Sequence, residues 1–312
     1  MATTRVLLCG NREMTEGVDE LFTLRNHYHV GNFQRAVHEG SLLALSDDAV
    51  KVQRDVYVFR AYIAMGNAEM VIDEVGDDEG VQTSLQAVRL LALLDAGRST
   101  SDDVNARFEA LLNDVACANN ATLKTCAAVC YAKQGLYKEA IRAVRGSHEL
   151  EHQAVLVQVY ISMNRPDVAA KTLRQMHSTD DDSTLTQLAT AWVYLAQGGA
   201  KFQEAAYIFQ ELMDKYDASL MLLNSIAVAY MHMGQYEEAE KELMNAIGKN
   251  PSDGDTLVNI VCCFRHTGKS TEVVQRKIKE LQRAAPDHPW VKNFAAVSAG
   301  FDASVTAVLA AK

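Results

Sequence analysis

The stretch from residue 219 to residue 251 alternates apolar and polar positions with the three- and four-residue spacing of two consecutive amphipathic helices. Gly234 interrupts the pattern in the middle, and Pro251 ends it. A glycine can take the left-handed backbone that closes a helix, and a proline cannot continue one. The small residues Ala227 and Ala239 stand where the two helices would pack most closely. The stretch therefore predicts an antiparallel helix–turn–helix unit.

The spacing within this unit is that of the tetratricopeptide repeat, a helical pair of 34 residues. The positions that fit are Leu223, Ile226, Ala227, Tyr230, Gly234, Tyr236, Ala239, Leu243, Ala246 and Pro251. Related patterns follow downstream to Pro286, and upstream the glycines Gly31, Gly66 and Gly135 mark further turns. Each pair leaves an apolar face that only a neighbouring pair can cover. The sequence therefore predicts an all-α, tetratricopeptide-repeat-like, right-handed α-solenoid of about eight helical pairs.

The solenoid is expected to occupy residues 19–294. We expect a flexible N-terminal segment over residues 1–18, and a C-terminal capping helix or frayed tail over residues 295–312. Residues 52–57 and 70–75 alternate or are rich in β-branched side chains. They leave a local strand pair open as an alternative, although helix is favoured.

Composition narrows the partners that the chain could have. Lys and Arg total 30 against 40 Asp and Glu, which gives a net charge of −10. An acidic balance disfavours nucleic acid and anionic membranes as main partners. The first ten residues hold an apolar run too short for a signal peptide, and no run reaches the ~18 apolar residues of a membrane helix. The six cysteines form no C-x-x-C pair, as is typical of reduced thiols in a cytoplasmic protein.

One stretch matches a catalytic motif, because His148 to His152 reads H-E-x-x-H. On a helix this spacing places two imidazoles on one face for zinc, with Glu149 as general base. The preceding Gly146 and Ser147 indicate a turn, however, and no third ligand stands out. Cys126 and Cys130 share a helix face, where core packing is favoured over metal binding. We therefore expect no enzyme, cofactor, metal site or small-molecule substrate.

The inner surface of the solenoid is the more informative candidate. In such arrays the first helix of each pair lines the concave groove, and here most of its positions are apolar. A contiguous exposed apolar patch marks a partner site, so the groove predicts a protein partner. The alternative is that the register is shifted by one residue and these side chains are core. The predicted groove residues are Leu188, Trp192, Leu195, Met221, Asn224, Val228, Met231, Asp255, Val258 and Cys262.

Several segments resemble the epsilon subunits of coatomer. The most specific are LTQLATAWVYLAQGG (185–199), AAYIFQEL (205–212) and DTLVNIVCCFRHTGK (255–269). Residues 53–57 and 60–62, with Leu21, Phe22 and Phe33, resemble the same family. The resemblance spans about residues 19–303, is weaker over residues 77–183, and does not include the H-E-x-x-H stretch.

The resemblance implies a non-enzymatic subunit of the COPI coat, which carries cargo from the Golgi to the endoplasmic reticulum and within the Golgi. Such subunits hold and stabilise the C-terminal domain of alpha-COP, within the heptameric coatomer. The chain would then be cytoplasmic and peripheral on Golgi membranes and COPI-coated vesicles, with only indirect membrane contact. The alternative is a repeat adaptor or co-chaperone. A groove that captures an acidic C-terminus needs Lys or Arg at inner positions, and this groove has almost none.

Overall fold

The computed structural model describes residues 19–77 and 80–310, and over these residues it is helical with no strand. The helices in this part of the chain are α1 (Phe22–His29), α2 (Phe33–Leu42), α3 (Asp48–Ala64), α4 (Ala68–Val75), α5 (Thr83–Asp95), α6 (Ser101–Asn113), α7 (Ala121–Lys133), α8 (Tyr137–Val144), α9 (Leu150–Ser162), α10 (Pro166–Thr179), α11 (Thr184–Gln197), α12 (Lys201–Tyr216), α13 (Leu220–His232), α14 (Tyr236–Lys249), α15 (Gly254–His266), α16 (Thr271–Ala284) and α17 (Pro289–Ala310). The segment predicted to be flexible, residues 1–18, lies outside the described residues.

Helices α1 to α16 form eight consecutive pairs, so the predicted repeat architecture is confirmed. In the pair α13–α14, Gly234 has a φ of +76° and donates its N–H to the carbonyl of Met231 at 3.0 Å. Ala227 and Ala239 are fully buried between the helices of this region. Residues 52–57 and 70–75 lie in α3 and α4, so the alternative of a local strand pair is wrong.

Side chains just before several helices fix where those helices begin. In five cases the side chain accepts a hydrogen bond from a backbone N–H in the first turn of the helix that follows. These residues are Asp47, Thr100, Asn120, Ser219 and Asp253. These first-turn N–H groups have no partner inside the helix, and a cap of this kind stabilises a helix by about 1 kcal/mol. The turns between the pairs are therefore encoded locally.

The first helices of the pairs pack against one another in chain order and close a ring. Contacts run from α1 to α3, α5, α7, α9 and α11, and α11 then packs against α1. The last two pairs and α17 continue beyond this ring, with α13 contacting α15. The array is thus a ring of six pairs followed by an extension.

Helix α17 ends the described chain as one continuous element from Pro289 to Ala310. Trp290 and Val291 pack against the last pair, whereas Val297 and Phe301 are exposed. The helix passes without a break through the boundary expected between residues 294 and 295, and that boundary stays a prediction.

Candidate partner-binding surface

The ring is closed by a contact that we call the seam, in which residues 27–35 meet residues 216–221. The hydroxyl of Ser219 donates to the carbonyl of Val30, and the Asn32 amide donates to the Tyr216 carbonyl at 2.6 Å. Arg35 forms an ion pair with Asp217. Because these partners are separated by more than 180 residues, the seam joins the first pair to the turn between the sixth and seventh pairs.

The seam is tightly packed. Gly31 has a φ of +80°, and a Cβ at this position would lie 3.0 Å from the Cβ of Met221. Val30 is fully buried and belongs to the same apolar cluster as Leu188 and Leu222. Asp217 has a φ of +64°, which is uncommon for a residue with a side chain and costs energy. The surrounding contacts therefore hold a strained turn in place.

Inside the ring, an ion pair joins two helices that are not neighbours in the circuit. Arg60 of α3 contacts Glu151 of α9 at 2.6 Å, and both side chains are largely buried. In a circuit of six helices, α3 and α9 are three steps apart in either direction, so they face each other across the ring. The Arg60 guanidinium lies 4.8 Å from the centre of the Tyr28 ring and 5.5 Å from that of Tyr57. We call this pair the cross-ring ion pair.

The titratable groups around the cross-ring ion pair respond to their burial. Burial is the largest single influence on Glu151 and would raise its pKa, but the charge of Arg60, the nearby His29 and the hydrogen bond from Arg60 together hold that pKa below its usual value. Burial lowers the pKa of His29 to about 4 and raises the pKa of Cys126 to about 12. Glu151 is thus ionised and His29 neutral at pH 7. The cluster satisfies its charges internally, which is typical of a structural element.

The predicted groove residues differ in their accessibility. Leu188 is fully buried in the apolar cluster that includes Val30, so its assignment to an accessible groove is wrong: the closed ring turns this position into core. Trp192 and Leu195 are half-buried against the same cluster, and Met221 packs against Gly31 at the seam. An open groove was expected along the whole array, but its first position, Leu188, is buried in the closed ring and the next three positions are only partly exposed.

The remaining six predicted residues lie on two neighbouring helices beyond the ring. Four of them are partly exposed: Asn224, Val228 and Met231 on α13, and Val258 on α15. Two are exposed, both on α15: Asp255 and Cys262. The Asn224 amide donates to the Thr256 hydroxyl at 2.8 Å, which places the two helices side by side. We call the surface formed by these six residues the α13–α15 face. It is the part of the predicted groove that lies beyond the ring, and it holds the two predicted residues that are fully exposed.

A polar residue that the sequence analysis did not single out belongs to the same surface. Asn259 of α15 is partly exposed, and its amide donates to the Asn224 side-chain carbonyl at 2.9 Å. Its position, 35 residues after Asn224 and so one beyond the repeat spacing, was the available signal. Tyr57 and Arg60 lie in segments that resemble the family, and their meeting with Glu151 could not be predicted from local spacing.

The H-E-x-x-H stretch has a structural role. His148 lies in the turn before α9, whereas His152 lies on the helix, so the two rings do not share a helix face. His152 is buried, and its Nε2 donates to the Ala121 carbonyl at 3.0 Å while its Nδ1 accepts from the Ser147 hydroxyl at 2.6 Å. Among the described residues, no three potential ligands form a group that could hold a metal ion.

Solved structures support the fold. The chain is similar to a tetratricopeptide repeat protein from Parabacteroides merdae, with a TM-score of 0.57 at 12% identity over 78% of this chain and 96% of that one. It is also similar to a chain of the APC/C hetero-tetramer Cut9–Hcn1, with a TM-score of 0.63 at 12% identity over 89% of this chain and 56% of that one. In the part of the chain that the structure describes, no helix combines the length and apolar character needed to cross a membrane.

Sequence relatives identify the family. The chain is 40% identical to coatomer subunit epsilon-1 of Arabidopsis thaliana, over 92% of this chain and 96% of the relative. It is 31% identical to coatomer subunit epsilon of Caenorhabditis elegans, over 91% of this chain and 97% of the relative. The sequence model of the coatomer epsilon subunit family matches residues 17–309, so this chain belongs to the coatomer epsilon subunit family.

Proposed function

We propose that this chain is a non-enzymatic structural subunit of the COPI coat that binds and stabilises the C-terminal domain of alpha-COP through the α13–α15 face. Membership of the family makes the chain a component of coatomer. The choice of partner, the Golgi-to-endoplasmic-reticulum and intra-Golgi routes, and peripheral attachment to Golgi membranes and vesicles are part of the proposal.

The observation that carries the binding surface is the accessible apolar character of the α13–α15 face. Val228, Met231 and Cys262 present partly or fully exposed apolar surface on adjacent helices, whereas Leu188 is fully buried within the ring. Repeat proteins use such concave surfaces to hold an extended or helical segment. A small number of buried apolar anchors supplies most of the binding energy in interfaces of this kind.

The direct test is co-expression of this chain with the C-terminal domain of alpha-COP from the same organism, followed by size-exclusion chromatography. The proposal expects a 1:1 complex that survives dilution. Separate elution of the two folded proteins would refute the choice of partner.

A pair of variants then tests the surface. Cys262→Asp places a charge on the exposed part of α15 and is expected to abolish the complex while the chain stays folded. Met244→Asp on α14 changes a side chain that is 50% exposed outside the α13–α15 face and serves as the matched control. Equal binding by both variants would move the interface away from the α13–α15 face.

A further inference from the structure

A cavity lies between helices α4, α5 and α6, in the second and third pairs. Helix α4 ends at Val75 after 8 residues, because Gly76 takes a φ of +64° that lies outside the α-helical range, whereas α6 runs for 13 residues. Both α4 and α6 pack on α5, so α5 forms the base of the space that the shorter helix leaves. We call this space the α4–α6 cavity. Its volume is about 310 Å³, which is within the range of small-molecule sites.

The described residues that line the α4–α6 cavity suit an anion with an apolar part. Val81, Leu90 and Leu111 contribute apolar surface. The charged side chains are those of Arg89 on α5, Arg107 on α6 and Asp77 after α4. Two positive charges and one negative charge give these lining side chains a sum of +1, in a chain whose net charge is −10. The cavity is therefore a local positive spot with apolar walls, which attracts an anion that has an apolar body.

The Arg89 guanidinium is the group in this cavity that lacks partners. Its side chain is 15% exposed, and its Nη1 donates to the carboxylate of Asp77 at 2.7 Å. Its Nε is buried and has no hydrogen-bond partner among the described residues. In a guanidinium, Nε and Nη2 point in one direction and form a fork that fits a carboxylate, and Asp77 does not occupy that fork. A buried donor of a charged group is costly to leave unpaired, so the fork favours an incoming anion.

We propose that the α4–α6 cavity binds a carboxylate attached to a compact apolar group. The carboxylate bonds the fork of Arg89, and the apolar group packs against Leu90 and Leu111. A carboxylate is favoured over a phosphate, because a dianion would exceed the single net positive charge of the described lining side chains. Helices α4 and α6 are the second helices of their pairs, so the cavity lies outside the ring of first helices and apart from the α13–α15 face. The inference is therefore independent of the partner proposed for that face.

Two acids test the proposal by isothermal titration calorimetry with the full chain. The compound 3-phenylpropionate represents a free organic acid, and N-acetylleucine represents the C-terminus of a peptide. Both acids are expected to bind, and their neutral amides are expected to bind at least about tenfold more weakly, because an amide cannot accept two charge-assisted hydrogen bonds from the fork. The acid that binds more tightly identifies the source of the ligand. Equal binding of acids and amides, or binding of neither acid, would overturn the inference.

Variants locate the site. Arg89→Gln is expected to raise the dissociation constant of the acids about tenfold or more. Arg98→Gln is the matched control, because it removes the same charge from a side chain that pairs with Glu69 outside the cavity, and it should leave the dissociation constant unchanged. If Arg89→Gln does not fold, Ala110→Trp fills the cavity from an exposed position on α6 and is expected to abolish binding. Equal dissociation constants in the two arginine variants, or normal binding by Ala110→Trp, would move the acids to another surface and overturn the assignment.

Discussion

The seam gives the sharpest prediction about stability, through Ser219. This residue is buried and acts twice: its hydroxyl oxygen accepts from the Leu222 N–H at 3.1 Å as the cap of α13, and its hydroxyl hydrogen bonds the carbonyl of Val30. Ser219→Ala removes both bonds at once. It should therefore weaken one helix end and also loosen the contact that closes the ring.

The two losses can be sized separately. Loss of an N-cap side chain costs about 1 kcal/mol. A buried carbonyl left without its donor costs about 1 to 3 kcal/mol, and Val30 is fully buried. Ser219→Ala should thus lower the free energy of unfolding by about 2 to 4 kcal/mol. Ser270→Ala is the matched control, since Ser270 caps α16 through Val273 and makes no contact with the seam. It should cost about 1 kcal/mol or less.

Urea denaturation followed by far-ultraviolet circular dichroism measures both free energies of unfolding. Hydrogen exchange adds the location, because a loosened seam should speed amide exchange in α1 and α2, which lie far from Ser219 in sequence. Equal losses of stability in the two variants would refute the reasoning, as would faster exchange confined to the first turn of α13. Either result would mean that the Ser219–Val30 bond contributes nothing to ring closure.

Three further predictions concern buried polar groups. Glu151→Ala should lower the free energy of unfolding by about 3 to 5 kcal/mol, because it leaves Arg60 buried and unpaired. Replacing both residues by apolar ones should lower it by much less than the sum of the two single changes. Additive free energies of unfolding in a double-mutant cycle would contradict the pairing. The free energy of unfolding should be constant above about pH 6.5 and decrease as the pH falls towards 4, because His29 takes up a proton in the unfolded chain but not in the folded one. In His29→Gln the free energy of unfolding should decrease less over the same pH range. An equal decrease in this variant would contradict the role of His29. His152→Ala should lower the melting temperature by several degrees, because the two hydrogen bonds of the His152 ring are lost. His148→Ala changes an exposed residue in the turn and should leave the melting temperature nearly unchanged. Equal shifts in the two variants would contradict the structural role of His152.

The helical pairs could be predicted from the sequence because the information that defines them is local. Gly234, Tyr236 and the small residues Ala227 and Ala239 sit at fixed offsets within one repeat, and each determines a turn or a close approach a few residues away. Even the irregular middle of the array follows this rule. Pro166 opens α10 as its fixed φ predicts, and Cys126 and Cys130 pack in the core as their shared helix face indicates.

The accessible part of the groove could not be predicted in the same way. Leu188 stands at the repeat position of a groove residue, yet it is core and belongs to the same apolar cluster as Val30, which is far away in sequence. The curvature that brings the two together accumulates from small rotations between successive pairs, and no single repeat encodes it. The same limit applies to Arg60 and Glu151, whose meeting depends on the complete ring.

Ring closure divides the inner surface of the array into two parts with different expected behaviour. The ring contains the seam, between residues 27–35 and 216–221, and the cross-ring ion pair between α3 and α9, so substitutions there should change stability first. The α13–α15 face lies beyond the ring, and its six side chains are partly or fully exposed. Cys262→Asp should therefore reduce partner binding with little change in unfolding, and Glu151→Ala should do the reverse at temperatures where the variant is folded. If Glu151→Ala abolished binding while folded, the ring interior would have to be part of the interface, and the assignment of the partner to the α13–α15 face alone would fail.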